Sequence, residues 1–136
     1  MQDYIFRRHF ERRIKARHKA PLLTVKANFV GLFSRARNPM TVKCVDFNRY
    51  GMAIICDYKL KTGDKLEFSF RGRYITEDGI QGLVSSMTEI EGGFRYGILF
   101  SYCKSSRDYN REIDNALSRI EGLFSQFDQR FRPQAS

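Results

Sequence analysis

Between about residues 22 and 102, apolar and polar positions alternate with period two, the signature of half-buried β-strands. In LTVKANFV, Leu23, Val25, Ala27 and Phe29 fall on one face, and in MTVKCVD, Met40, Val42 and Cys44 do the same. GMAIIC is a short run of the fully buried type. In KLEFSF, Leu66, Phe68 and Phe70 alternate with Lys65, Glu67 and Ser69. IQGLVSSM reads as a weaker strand, and FRYGILF alternates through Phe94, Tyr96, Ile98 and Phe100. The turn signals ARNP, NRYG, KTGD, EDG and EGG separate these segments. Short strands punctuated in this way predict an all-β antiparallel barrel or sandwich rather than a parallel α/β sheet.

Near the C-terminus the period changes. Ile113, Leu117, Ile120, Phe124, Phe127 and Phe131 recur at steps of four and three, which is one helical stripe. SSRD is the expected N-cap and Pro133 lies past the expected end, so a helix is predicted from about residue 107 to 131. The stripe either packs on the barrel, over an open end, or forms a seam for a partner. At under three heptads it is short for an independent coiled coil. The expected organisation is a basic and aromatic extension over 1–10, a barrel unit over 11–105, and a helix with its tail over 106–136.

With 136 residues, 42% apolar and 29% charged, the chain has the size and composition of one folded soluble domain. The longest apolar run, MAIIC, is too short to span a bilayer, and MQDYIFRRHF lacks the apolar region of a secretory signal. Cys44, Cys56 and Cys103 are odd in number and far apart, which suits lone thiols in a reducing cytoplasm. The net charge of +9 adds a location: residues 1–43 hold eleven Lys or Arg against Asp3 and Glu11, and the rest of the chain is balanced. ERRIKARHK (11–19) is the densest part. An excess so localised points to a surface for an anion.

Catalytic chemistry finds little support. The two histidines, His9 and His18, lie in or beside the basic segment, and no His/Cys spacing fits zinc. GIQG lacks a phosphate-loop lysine, and no nucleophile elbow is present. Asp46, Asp57 and Asp64 are carboxylates of the number any small β-domain carries. Binding without catalysis, and without a cofactor, is the expected class.

Downstream of the basic segment stands CVDFNRYGMAIIC (44–56). A strand is expected to end near Val45, with Asp46, Asn48 and Gly51 shaping a turn in which Gly51 permits positive φ. Asp46 and Asn48, two residues apart, can point the same way. They offer a carboxylate and an amide to the donor-bearing edge of a guanine, while arginines fit phosphate oxygens and the guanine O6/N7 edge.

These two pieces, in this order, resemble the signatures of the PilZ domain, the bacterial cyclic di-GMP (c-di-GMP) receptor. RIKAR matches RxxxR at Arg13 and Arg17, with Arg12 directly ahead; RHFER is a competing match at Arg8 and Arg12. DFNRYG matches D/N-x-S-x-x-G at Asp46 and Gly51 but carries Asn48 where Ser is usual. GILF (97–100) is similar to the family's closing strand. The resemblance spans residues 11 to 103. It implies a six-stranded antiparallel β-barrel with a C-terminal α-helix and c-di-GMP on the barrel's outer surface. Arg13 and Arg17 would take phosphates and guanine edges, and Asp46, Asn48 and Gly51 would meet a guanine. Arg12 would engage a second ligand molecule. Binding would order the arginine segment and so alter an unidentified protein effector. Three other readings stay open. One is a degenerate PilZ domain that acts as an interaction module without ligand. Another is a basic barrel for single-stranded nucleic acid, favoured by the charge and the 14% aromatic content. Phe68, Phe70, Phe94 and Phe100 argue against it, because they fall on inward positions. The last is a membrane-surface anchor built on Tyr4, Ile5, Phe6 and Phe10.

Overall fold

The computed structural model describes residues 23–30 and 39–131, with side chains through residue 124. The alternating segments become β1 (Leu23–Phe29), β2 (Met40–Asn48), β3 (Gly51–Cys56), β4 (Lys65–Gly72), β5 (Ile75–Ile90) and β6 (Gly93–Phe100). All neighbours are antiparallel, and the sheet closes on itself in the order β1-β2-β3-β6-β5-β4. The six-stranded barrel with one C-terminal helix is therefore as expected. Closure removes free strand edges. It also gathers the inward positions, among them Val25, Val42, Leu66, Phe68, Phe70, Ile98 and Phe100, into one core.

A short 3₁₀ turn, Ser101–Cys103, leads to α1 (Arg111–Phe131), which packs on β2 and β5 over one end of the barrel. Its stripe residues Leu117, Ile120 and Phe124 are buried in the same core. Phe47 joins barrel to helix, its ring centroid lying 5.9 Å from Phe70, 5.6 Å from Phe100 and 5.2 Å from Phe124. Stripe members Phe127 and Phe131 fall where side chains are not described.

Two sequence expectations need correction here. The helix starts at Arg111, not near 107, and its cap is Asn110, whose Oδ1 accepts the Ile113 N–H at 3.0 Å. SSRD closes a separate turn, with Ser105 Oγ donating to Asp108 Oδ2 at 2.9 Å. Both segments carry cap-type side chains, and Asn110 is the one adjacent to the first helical turn. EDG, expected to separate strands, instead lies inside the long strand β5. The register steps from Phe68↔Ile80 to Phe70↔Glu77, so Asp78 and Gly79 bulge outward, Gly79 at φ +72°. Arg71 holds the bulge through Asp78 at 2.7 Å. The real turn between β4 and β5 is Arg73–Tyr74. KTGD and EGG do turn the chain, with Gly63 at φ +96° and Gly92 at φ +82°.

Candidate ligand-binding site

The segment DFNRYG sits at the helix end of the barrel, but not as a loop. Asp46 and Asn48 belong to β2, and Gly51 opens β3 opposite Asn48. Gly51 is not among the positive-φ glycines, which are Gly63, Gly79 and Gly92 among the described residues. The left-handed glycine expected at this turn is not needed, because side chains hold it. Asn48 Oδ1 accepts the N–H groups of Tyr50 at 2.8 Å and Gly51 at 3.1 Å, an Asx turn that closes a hairpin with Arg49 and Tyr50 at its tip. Asn48 is only 2% exposed, so a hydrogen-bonded oxygen is what makes its burial tolerable.

A bulge determines which way these side chains face. Met40, Val42 and Cys44 point into the core, and unbroken alternation would send Asp46 and Asn48 after them. The β2–β3 register slips between Cys44 and Asp46, so Phe47 takes the inward position. Its neighbours Asp46 and Asn48 thus share the opposite, outer face. The expectation that they point the same way holds, through a strand bulge rather than a turn.

On that face Asp46 Oδ1 accepts the Ala53 N–H at 3.1 Å and Oδ2 pairs with the Arg95 guanidinium at 3.2 Å. Register runs from Asp46 to Ala53 on β3, Gly97 on β6 and Ser86 on β5, a row of small residues beside a carboxylate. A Cβ at Gly97 would collide with Ser86 Oγ, and Ser85 Oγ donates to the Gly97 carbonyl at 3.1 Å. The arrangement sets a paired carboxylate and guanidinium, Asp46 and Arg95, on the barrel's outer face, with the Asn48 amide buried beside them. It suits recognition of a flat polar group by hydrogen bonds. Arg95, which the sequence does not single out, joins the candidate site through this pair. Its one signal is the outward position between Phe94 and Tyr96, which becomes part of a site only when register brings it to Asp46.

The hairpin tip is held from the helix side too. Glu121 Oε2 accepts the Arg49 backbone N–H at 2.9 Å, and Oε1 takes the guanidinium at 3.3 and 3.4 Å. Burial, the largest single influence, would lower the Arg49 pKa, but Glu121, Tyr50 and Asp114 together outweigh it and the value is raised. Tyr102 Oη donates to the Arg49 carbonyl at 2.7 Å and approaches Asp114 Oδ1 at 3.3 Å. Burial first, then neighbouring negative charge, pushes the Tyr102 phenol upward. The Tyr50 carbonyl accepts from the Phe100 N–H at 3.0 Å and lies 3.3 Å from the Cys103 sulfur, whose nearer acceptor is the Phe100 carbonyl at 2.9 Å, and burial pushes that thiol up to about 12.

Asp46, Asn48 and Gly51 are thus brought together. The arginines expected to act with them, Arg12, Arg13 and Arg17, lie outside the described residues, as does the rest of the basic segment. Among the described residues no helix is long and apolar enough to cross a membrane.

The chain's fold is similar to that of the PilZ domain with c-di-GMP of YcgR from Escherichia coli, with a TM-score of 0.59 over 84% of this chain and 92% of that one, at 13% identity. The fold is PilZ-like. No protein-family model matches the sequence, and no curated protein matches it either.

Proposed function

We propose that this protein is a c-di-GMP receptor that catalyses no reaction and passes its signal to a protein partner in the cytoplasm. The observation that carries this reading is the bulge at Val45, which turns Asp46 and Asn48 of the DFNRYG motif onto one outer face of a PilZ-like barrel. Asp46 accepts from the N1–H and N2–H edge of a guanine. The Asn48 carbonyl oxygen is committed to Tyr50 and Gly51, so Asn48 shapes the hairpin from within, and any contact its amide makes with the ligand is as a donor, to an acceptor such as O6 or a phosphate oxygen. This narrows the amide's role from the donor-edge contact that the sequence alone suggests. Arg13 and Arg17 bind phosphates and guanine edges, and Arg12 stacks on a second ligand molecule. Residues 7–19 repel one another through like charge until the anion joins them to the barrel, and their ordering presents a new surface to the partner.

Calorimetry with c-di-GMP, against cyclic di-AMP and GTP, tests the proposal. Selective binding with an endpoint near two ligands per chain is expected, with the ligand recovered intact. An absence of heat and of thermal shift at high micromolar c-di-GMP rejects it.

A further inference from the structure

The tip of the candidate ligand hairpin is also an anchor point of α1. We infer that Glu121, a helix residue, is a positioning residue for the ligand site: by holding the backbone and guanidinium of Arg49 it sets the hairpin geometry on which Asn48 and Asp46 depend, and so couples ligand affinity to helix docking. The inference rests on reading this site as the c-di-GMP site.

Three observations carry it. First, Arg49 directly follows Asn48 within the motif, and its backbone N–H, which at an ordinary hairpin tip is left to water, is taken by a carboxylate 72 residues further along the chain. Second, the same carboxylate grips the Arg49 guanidinium, and its side chain is only 14% exposed. Removing Glu121 leaves a partly buried N–H and an arginine without that acceptor, so the tip must rearrange. Third, the tip has little slack: the Arg49 carbonyl is tied to Tyr102, and the Tyr50 carbonyl to Phe100 and Cys103. A displaced Arg49 disturbs the array in which Asn48 Oδ1 gathers two N–H groups. Linkage then requires reciprocity. If docked α1 favours the binding geometry, bound ligand favours docked α1 by the same factor.

The helix carries its own control. Arg119 pairs with Glu77 of β5 at 3.3 Å, on the edge of α1 away from the motif and far more exposed. Calorimetry with c-di-GMP on the full chain compares the wild type with Glu121→Ala, Glu121→Gln and Glu77→Gln. Glu121→Ala is expected to weaken binding about 5-fold or more. Glu121→Gln, whose amide oxygen still accepts the Arg49 N–H, loses less and serves if the alanine variant does not fold. Glu77→Gln is expected to stay within about twofold of wild type. Hydrogen exchange at Arg49, Tyr50 and Gly51 should quicken in Glu121→Ala and not in Glu77→Gln, and c-di-GMP should slow exchange along α1. If wild type binds c-di-GMP and Glu121→Ala binds it equally well, the inference is overturned and the functional reading survives. Equal losses in Glu121→Ala and Glu77→Gln overturn it too, since any loosening of the helix would then do. A wild type that binds no c-di-GMP rejects the functional reading itself, and the inference with it.

Discussion

The dipeptide Arg–Tyr forms the tip of two hairpins at the same end of this barrel, and the two tips have opposite fates. In NRYG, between β2 and β3, Tyr50 packs against the core and Arg49 is clamped by Glu121 of the helix. In GRYI, between β4 and β5, Tyr74 is 79% exposed and the Arg73 guanidinium stacks on its ring at 5.3 Å. Each hairpin sends one ion pair to α1, and again they differ. Arg49–Glu121 has side chains 36% and 14% exposed, whereas Arg119–Glu77 has 68% and 29%. The turn residues do not cause this difference. Asn48 and the Val45 bulge on one side, and the placement of the helix on the other, turn an ordinary hairpin tip into a structured site.

The largest expected effect lies beneath the buried tip. Phe47→Ala removes the ring that meets Phe70, Phe100 and Phe124, and should cost about 3–5 kcal/mol in denaturant unfolding. Tyr74→Ala at the other tip should stay within about 0.5 kcal/mol; comparable losses would dissolve the contrast. Next comes Asn48→Ala, which strips the acceptor from two N–H groups and should cost about 1–3 kcal/mol. Asn48→Asp keeps an acceptor for the two N–H groups but buries a carboxylate at a side chain only 2% exposed, so it should destabilise as well, and its negative charge should weaken binding of an anionic ligand.

Smaller again is the difference between the ion pairs. A double-mutant cycle on Arg49 and Glu121 should give about 1 kcal/mol of coupling, discounted for the half-exposed arginine, and Arg119 with Glu77 about 0.3 kcal/mol. Repeating both in 1 M salt should erase the second and leave most of the first; the reverse order would mean that burial does not separate them. The smallest effect near neutral pH comes from Cys103, whose thiol lies within hydrogen-bonding reach of the Phe100 carbonyl at 2.9 Å and the Tyr50 carbonyl at 3.3 Å. Its pKa rises from the ordinary 9.0 to about 12 in the fold, so the neutral thiol is favoured there. That contribution is fully present below pH 9 and is lost as pH rises through about 12. Stability should decline over this alkaline window, and Cys103→Ala should flatten the decline. A thiol reagent at pH 8 should leave Cys103 unmodified in the folded protein.

Much of this architecture is legible in the amino-acid pattern. Alternation in KLEFSF and FRYGILF places Leu66, Phe68, Phe70, Tyr96, Ile98 and Phe100 in the core, where they are buried, because a strand face repeats every second residue whatever its neighbours. The helical stripe likewise identifies Leu117, Ile120 and Phe124. GRYI is weak as a turn signal because its one turn-type residue, Gly72, ends strand β4 without a positive φ, and EDG misleads because a left-handed glycine serves a bulge as well as a turn.

The features legible along the chain are periodic or local: the inward faces, the change to helical period at the C-terminus, the concentration of positive charge in residues 1–43 and the motif DFNRYG. Such features depend on residues close together in the chain, whose geometry the backbone constrains directly. The remaining features come from long-range packing. It paired Asp46 with Arg95, 49 positions away, set Gly97 and Ser86 beside them, and brought Glu121 across to Arg49. It also moved Asp46 and Asn48 from a presumed turn to the outward face of a bulged strand. Those outcomes depend on strand register and on where the helix settles. Register is fixed by the packing of all the strands together, so no short stretch of sequence contains it.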